Sequence, residues 1–248
     1  MIRFENVSLR YGKKEILKGL SFCCEKGKIT AIIGKNGAGK TSCLQCLIGG
    51  KRCSGRIFIE GKDIKSLTKI ERAQKIAYLS QSLPQTPFTV SDLTALGRRP
   101  YRKGFEKLSV RDKEIIRNAM ETAGVISLSE RPINTLSGGE KQRAYLSMVL
   151  AQDTDVIALD EATTYMDAAF ENEMYDIIKK LSKDFGKTII LVTHNLTRAV
   201  NDADDVVILN EGKIKSKMNR EQAQNSSLIE EIFGVKKYLM EDGTIVYL

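Results

Sequence analysis

Tryptophan is absent, histidine occurs once, and aromatic residues make up only 6% of the chain. Aromatics this few show no row of rings on which bases would stack. The formal charge of +8 would suit a nucleic-acid or membrane-surface partner. Yet the basic residues are dispersed among acidic ones, with Lys51-Arg52, Arg98-Arg99 and Lys236-Lys237 the notable pairs. With neither a basic stripe nor an aromatic platform, nucleic-acid binding is not expected. Long apolar runs are missing as well. Stretches such as Ile189-Ile190-Leu191-Val192 are strand-sized, so no transmembrane helix is expected. The opening Met1-Ile2-Arg3-Phe4-Glu5 lacks the basic-then-apolar layout of an export signal, which makes the cytosol the expected compartment. The five cysteines all precede residue 54, an odd count that argues against a disulfide framework. Cys43-x-x-Cys46 has metal-like spacing but falls inside a predicted helix, where small buried thiols account for it.

What is present is organised around one motif. Gly34-Lys35-Asn36-Gly37-Ala38-Gly39-Lys40-Thr41 fits the phosphate-loop pattern G-x-x-x-x-G-K-[ST] at every fixed position. The apolar run Ile29–Ile33 leads in as a buried strand, and Thr41 to Ile48 continues as a short helix stopped by Gly49-Gly50. A bare glycine-rich turn has no need of that context. The glycines let backbone N–H groups converge on the β- and γ-phosphates, and the helix N-terminus, which includes Ser42, adds a favourable dipole. Lys40 supplies a cation and the Thr41 hydroxyl a ligand for Mg²⁺. The chain is therefore expected to bind a nucleoside triphosphate.

The 248 residues suffice for one large α/β domain. Candidate parallel strands are Ile29–Ile33, Ile76–Leu79, Val156–Leu159, Thr188–Val192 and Val206–Leu209. Ile2 to Tyr11 and Glu15 to Cys24 alternate and read as an antiparallel flap. After Gln81, Pro84 and Pro87 break the order, and a helical stretch from Val90 to about Gln152 reads as an inserted subdomain. Within it Ser109-x-x-Asp112 is a capping box, Ile115, Ile116, Ala119, Met120 and Ala123 line one face, and Gly124 ends the helix. The organisation expected is a domain over residues 1–225 with a helical subdomain at about 86–152, then a short tail over 226–248. That tail holds a helix from Ser227-x-x-Glu230 to Gly234 and a hairpin about Asp242-Gly243.

Three further groups carry chemistry. Strand Val156–Leu159 delivers Asp160-Glu161 to its C-terminal end, the edge where ligands sit in such sheets. Taken alone, the pair is two solvated acids opening a loop. With a phosphate loop in the same chain, Asp160 reads as a Mg²⁺ holder through water and Glu161 as general base for the water attacking the γ-phosphate. His194, the single histidine, ends strand Thr188–Thr193 at the same edge and reads as a hydrogen-bond partner of the γ-phosphate. Leu136-Ser137-Gly138-Gly139-Glu140 precedes a helix, and Ser137 with two glycines makes a second phosphate cradle. One ATP has little use for two cradles, so this one is expected to serve the ATP of another subunit.

That combination resembles the nucleotide-binding subunits of ATP-binding cassette (ABC) transporters, over essentially the whole length of the chain. Leu136 to Glu140 matches the signature that other phosphate-loop ATPases lack. The resemblance implies that Gln81 is the glutamine that touches Mg²⁺ and senses the membrane subunit. It likewise implies that Tyr11 stacks on adenine and that Asp167 lies in the loop crossing the dimer interface. Asp167 also fits as N-cap of a helix Ala168–Lys183, and Tyr11 as an edge-strand aromatic. Two departures stand out: Ala162 where Pro is usual, and Ser147-Met148 where Ala-Arg is common, affecting loop rigidity and local packing. Thr89–Leu93, Gly97–Tyr101, Ala151–Asp155, Thr163–Asp167 and Phe233-Gly234-Val235 resemble importers of iron chelates, haem and cobalamin. There Arg98, Arg99 and Tyr101 would dock a coupling helix, or form a solvated basic turn. The resemblance implies a homodimer on the cytoplasmic face of the membrane. Its partners would be integral-membrane permease subunits and, indirectly, an extracellular substrate-binding protein. An ABC exporter ATPase, or a soluble family member acting on nucleic acid or ribosomes, are the rival readings.

Overall fold

Near-continuous apolar segments bury on both faces and alternating ones on a single face, and the strands of this chain sort accordingly. The computed structural model describes residues 1–104, 106–161 and 168–248. Along the chain these form β1 (Ile2–Tyr11), β2 (Lys14–Cys24), β3 (Ile29–Ile33), α1 (Lys40–Leu47), β4 (Ser54–Ile59) and β5 (Lys62–Asp63). There follow α2 (Lys69–Ala73), β6 (Ile76–Leu79), α3 (Val90–Leu96), α4 (Val110–Thr122), α5 (Gly138–Ala151), β7 (Val156–Asp160) and α6 (Ala168–Lys183). The last elements are β8 (Thr188–Val192), α7 (Leu196–Asp202), β9 (Asp205–Asn210), β10 (Lys213–Asn219), α8 (Arg220–Asn225), α9 (Leu228–Phe233), β11 (Lys237–Leu239) and β12 (Ile245–Tyr247). Two compact units result, one made of Met1–Leu67 with Thr188–Leu248 and the other of Thr68–Lys187.

In the first unit the flap is wider than its sequence suggests, with strand order β2-β1-β4-β5. Ile2, Phe4, Val7 and Leu9 of β1 point inward with Leu17, Leu20 and Phe22 of β2, and the Phe4 and Phe22 rings stack at 4.4 Å. Beside it β10-β9-β3-β8 run as neighbours, with β3 parallel to both β8 and β9 and β10 antiparallel. Every residue of β3 and β8 is buried. The tail is bonded into this unit. Asn201 of α7 donates to Ile245 O at 2.7 Å and accepts from Ile245 N at 3.1 Å, while Tyr247 N donates to the Thr197 hydroxyl.

The second unit sets the parallel pair β6 and β7 with the helices α3, α4 and α5. Capping boxes start three of those helices, at Thr89 with Asp92, Ser109 with Asp112 and Ser137 with Glu140. Ile116, Ala119, Met120 and Ala123 are buried along α4, and Gly124 follows at φ +65°. Gly97 allows α3 to approach α5, since a Cβ there would lie 2.3 Å from the Met148 carbonyl oxygen. The departure at Ser147 has a local answer. Its hydroxyl is fully buried, donates to Ala144 O at 2.7 Å and meets the Thr94 hydroxyl at 2.6 Å. Arg98 is not a solvated docking residue. It is buried, with its guanidinium on Asp112 at 2.8 Å, on Ala151 O at 3.0 Å and over the Tyr101 ring. Arg99 remains exposed.

Candidate active site

The phosphate loop sits in the first unit between β3 and α1, and its glycines are required by geometry. Gly37 and Gly39 take φ of +78° and +106°, values that side-chain-bearing residues rarely adopt. A Cβ at Gly34 would lie 2.2 Å from the Leu209 carbonyl oxygen, so the strand-to-loop turn admits no side chain there. Ala38 N closes the loop on Lys35 O at 3.1 Å. Lys40 is buried along its stem, and its ammonium donates to Gly34 O at 2.8 Å and Lys35 O at 3.4 Å. The cation thus lies inside the loop rather than in solvent. Asn36 and Thr41 are exposed and Ser42 half-buried at the start of α1.

His194 belongs to the same unit and the same edge. β3 and β8 are parallel with Ile32 opposite Val192, so loop 34–41 and His194 leave adjacent strands at their C-terminal ends. His194 is exposed and lies between two residues tied down by side-chain bonds. Asn195 N donates to the Thr193 hydroxyl at 3.0 Å, and the Asn195 side chain caps α7 by accepting from Arg198 N. Tyr11, at the end of β1, is half-exposed, and Lys51 Nζ lies 5.2 Å from its ring centroid.

In the second unit β6 and β7 run parallel with Leu79 opposite Leu159, and this register brings Gln81 to the edge that carries Asp160 and Glu161. The Gln81 amide donates to the Glu161 carboxylate. Glu161 is buried and takes φ +51°, a conformation that costs a non-glycine residue energy and that the surroundings must impose. Asp160 is wholly inaccessible, and the Tyr78 hydroxyl donates to its Oδ2 at 3.0 Å. Tyr78 was not among the residues the sequence singled out. Its only advance signal was a hydroxyl-bearing ring within an otherwise apolar strand, one position before the end of β6.

The signature forms the first turn of α5. Ser137 Oγ accepts from Glu140 N at 3.3 Å while Ser137 N donates to Glu140 Oε2 at 2.8 Å. That backbone donor, with the Ser137 hydroxyl bond and the Arg131 charge, holds the Glu140 carboxyl below its usual range. A hydroxyl has one proton, so the Ser137 O–H must turn from the Glu140 carboxyl to reach a phosphate oxygen, while its lone pair can go on capping Glu140 N. Gly139 is buried against Phe170, whose ring would lie 3.2 Å from an added Cβ. Asp167 and Ala162, both singled out by the sequence, lie outside the described residues.

A phosphate loop at the end of one buried strand and an Asp-Glu pair at the end of another define a phosphate-loop nucleoside triphosphatase. The serine-capped signature helix narrows the class. Residues 17–164 match the family described as ABC transporter. The chain is 33% identical over 241 residues to the iron(3+)-hydroxamate import ATP-binding protein FhuC of Bacillus subtilis (strain 168), covering 96% of this chain and 89% of that protein. It is 34% identical over 244 residues to the ferric enterobactin transport ATP-binding protein FepC of Escherichia coli (strain K12), covering 97% and 90%. Among solved structures, the ATP-binding cassette MJ0796 in a dimeric post-hydrolysis state with ADP and Pi superposes with a TM-score of 0.78 at 22% identity, covering 89% of this chain and 99% of that one. This chain belongs to the ABC transporter family and is an ATP-binding ATPase. Among the described residues, no helix is long and apolar enough to cross a membrane.

Proposed function

We propose that this chain is the ATP-hydrolysing subunit of an importer for a ferric siderophore. The observation that carries this reading is its 33% and 34% identity, over 96% and 97% of the chain, to relatives named for iron(3+)-hydroxamate import and ferric enterobactin transport. Two copies work as a dimer on the cytoplasmic face of the membrane, against separate permease subunits that an extracellular binding protein supplies with cargo. The dimeric state of MJ0796 supports the first part of that assembly.

Loop residues 34–42 hold the ATP phosphates, with Lys40 as the cation, and Tyr11 stacks on adenine. Ser137, Gly138 and Gly139 take the γ-phosphate of the ATP bound to the opposite subunit, and Asp167 crosses the dimer interface. His194 bonds the γ-phosphate of the subunit's own ATP. Thr41, Gln81 and Asp160 are assigned to Mg²⁺. They offer hydroxyl, amide and carboxylate oxygens, the hard donors that this ion prefers, and Asp160 is buried and oriented by Tyr78. Bound there, the ion neutralises charge on the β- and γ-phosphates. Glu161 accepts the proton of the attacking water, and the Gln81 amide holds its carboxylate in one orientation. The inserted helical subdomain is taken as about 86–152 and the tail as 226–248.

Deletion of the gene in its host should abolish uptake of at least one radio-iron-loaded siderophore and spare sugar and amino-acid uptake. Full siderophore uptake beside a sugar, peptide or export defect would reject the cargo while leaving the ATPase untouched.

A further inference from the structure

The signature and the catalytic glutamate act, in the reading above, on two different ATP molecules. Within one subunit, however, they are joined by a short run of contacts. Lys141 and Tyr145 lie four residues apart on α5 and therefore on one face of it. Lys141 Nζ donates to Leu83 O at 3.1 Å and the Tyr145 hydroxyl donates to Pro84 O at 2.7 Å. The two acceptors are consecutive carbonyls of the segment that follows Gln81, whose amide meets Glu161. Proline at 84 fixes its own φ, so the segment has little slack between the Tyr145 bond and Gln81.

We infer that Lys141 and Tyr145 are positioning residues that couple engagement of the partner's ATP by the signature to the placement of Gln81 and Glu161 in the subunit's own site. The helix is stiff, and its first turn carries Ser137 to Gly139. A shift of that turn on meeting a phosphate moves the two side chains that hold residues 83 and 84. Tyr145 is buried, and burial pushes its phenol up, so the hydroxyl keeps its proton and remains a donor through the neutral range. No metal or covalent step is involved. Thermodynamic coupling between sites requires such a contiguous element, and reciprocity means that each site feels the other.

This inference rests on the assignment of Glu161 and Ser137 made above, and the experiment separates the two. Tyr145→Phe removes the hydroxyl and keeps the buried ring, and Lys141→Met keeps the aliphatic stem. Turnover against ATP concentration is measured for the full chain, wild type and each variant, with a thermal melt for each as a check on folding. Wild type should show a Hill coefficient above 1. Tyr145→Phe should lower kcat about fivefold, the size of one lost hydrogen bond. It should also bring the Hill coefficient toward 1 and leave ATP affinity and Tm as in the wild type. Lys141→Met should act in the same direction. A second readout needs no turnover. In a Glu161→Gln background, ATP should protect peptides covering residues 81–88 from hydrogen exchange, and adding Tyr145→Phe should remove that protection. Unchanged kcat, Hill coefficient and exchange in both variants would overturn the coupling, as would a loss of Tm with no change in Hill coefficient. Wild-type turnover in Glu161→Gln alone would instead reject the general base, while the exchange data would still decide the coupling.

Discussion

A carboxylate that takes a proton from water loses that capacity when it becomes an amide, while its volume is unchanged. Glu161→Gln should therefore bind ATP as the wild type does and turn over about 10²–10⁴-fold more slowly, the usual contribution of a general base. In Mg²⁺-free buffer containing ATP it should elute from gel filtration as a dimer. Equal turnover in variant and wild type would remove Glu161 from its role. Lys40→Ala is the complementary case. Its ammonium lies within the loop on the carbonyls of Gly34 and Lys35. In the proposed site its removal would leave the β- and γ-phosphates without their cation, so ATP binding measured by calorimetry should be lost or greatly weakened. A variant that binds ATP normally would count against the site itself.

At the scale of elements, the helices α3, α4 and α5 are joined by buried polar contacts as well as by apolar packing. Arg98 ties the end of α3 to Asp112 in the first turn of α4 and to the last carbonyl of α5. Removing one partner strands the other charge, and Arg98→Met should cost about 3 kcal/mol in urea unfolding. Arg99→Glu, at an exposed position, should leave stability unchanged, and it is the proper test of permease docking because Arg98 is occupied. The same pair sets an acid limit. The hydroxyl of Ser109 and the guanidinium of Arg98 hold the Asp112 carboxyl below its ordinary value of 3.8. A depressed carboxylate contributes its full stability above the unfolded value and loses it as pH falls toward the lower folded value. Glu140, held below 4.5 by the Ser137 cap, adds in the same direction. The urea midpoint should thus be flat near neutrality and decline below about pH 4.5, and the decline should be shallower in Ser109→Ala. A midpoint indifferent to acid would contradict the role of these caps.

For the whole molecule the telling consequence of the proposed function is that each ATP would be shared between two copies. Ser137→Arg should abolish hydrolysis although the isolated monomer still binds ATP. Mixed with Lys40→Ala subunits, it forms heterodimers in which one composite site carries both defects and the other carries neither. Some turnover should return on mixing. If Ser137→Arg monomers failed to bind ATP, the cradle would serve the subunit's own nucleotide and the trans arrangement would fall.

Much of this arrangement was legible before any coordinates. The bounds of β1, β3, β6 and β8 follow from apolar or alternating runs, and α4 from its capping box and its terminal glycine. The phosphate loop is legible for a related reason, since a loop that tolerates positive φ and no Cβ leaves its glycines in fixed places. Short-range constraints of this kind are written in neighbouring residues. β4, β5 and β10 were not legible, because glycine and charged residues dilute their alternation and only pairing, of β4 with β1, β5 with β4 and β10 with β9, makes them strands. Arg98 read as a surface cation, and only the packing of α3 on α4 and α5 turned it into a buried ion pair. Tyr78 on Asp160, Gln81 on Glu161 and Tyr145 on Pro84 join residues 82, 80 and 61 positions apart. Gln81, Asp160 and Glu161 could be singled out one by one, but nothing local tells which partner each of these side chains meets. Sheet register and helix packing decide which of them meet, and those are properties of the folded chain.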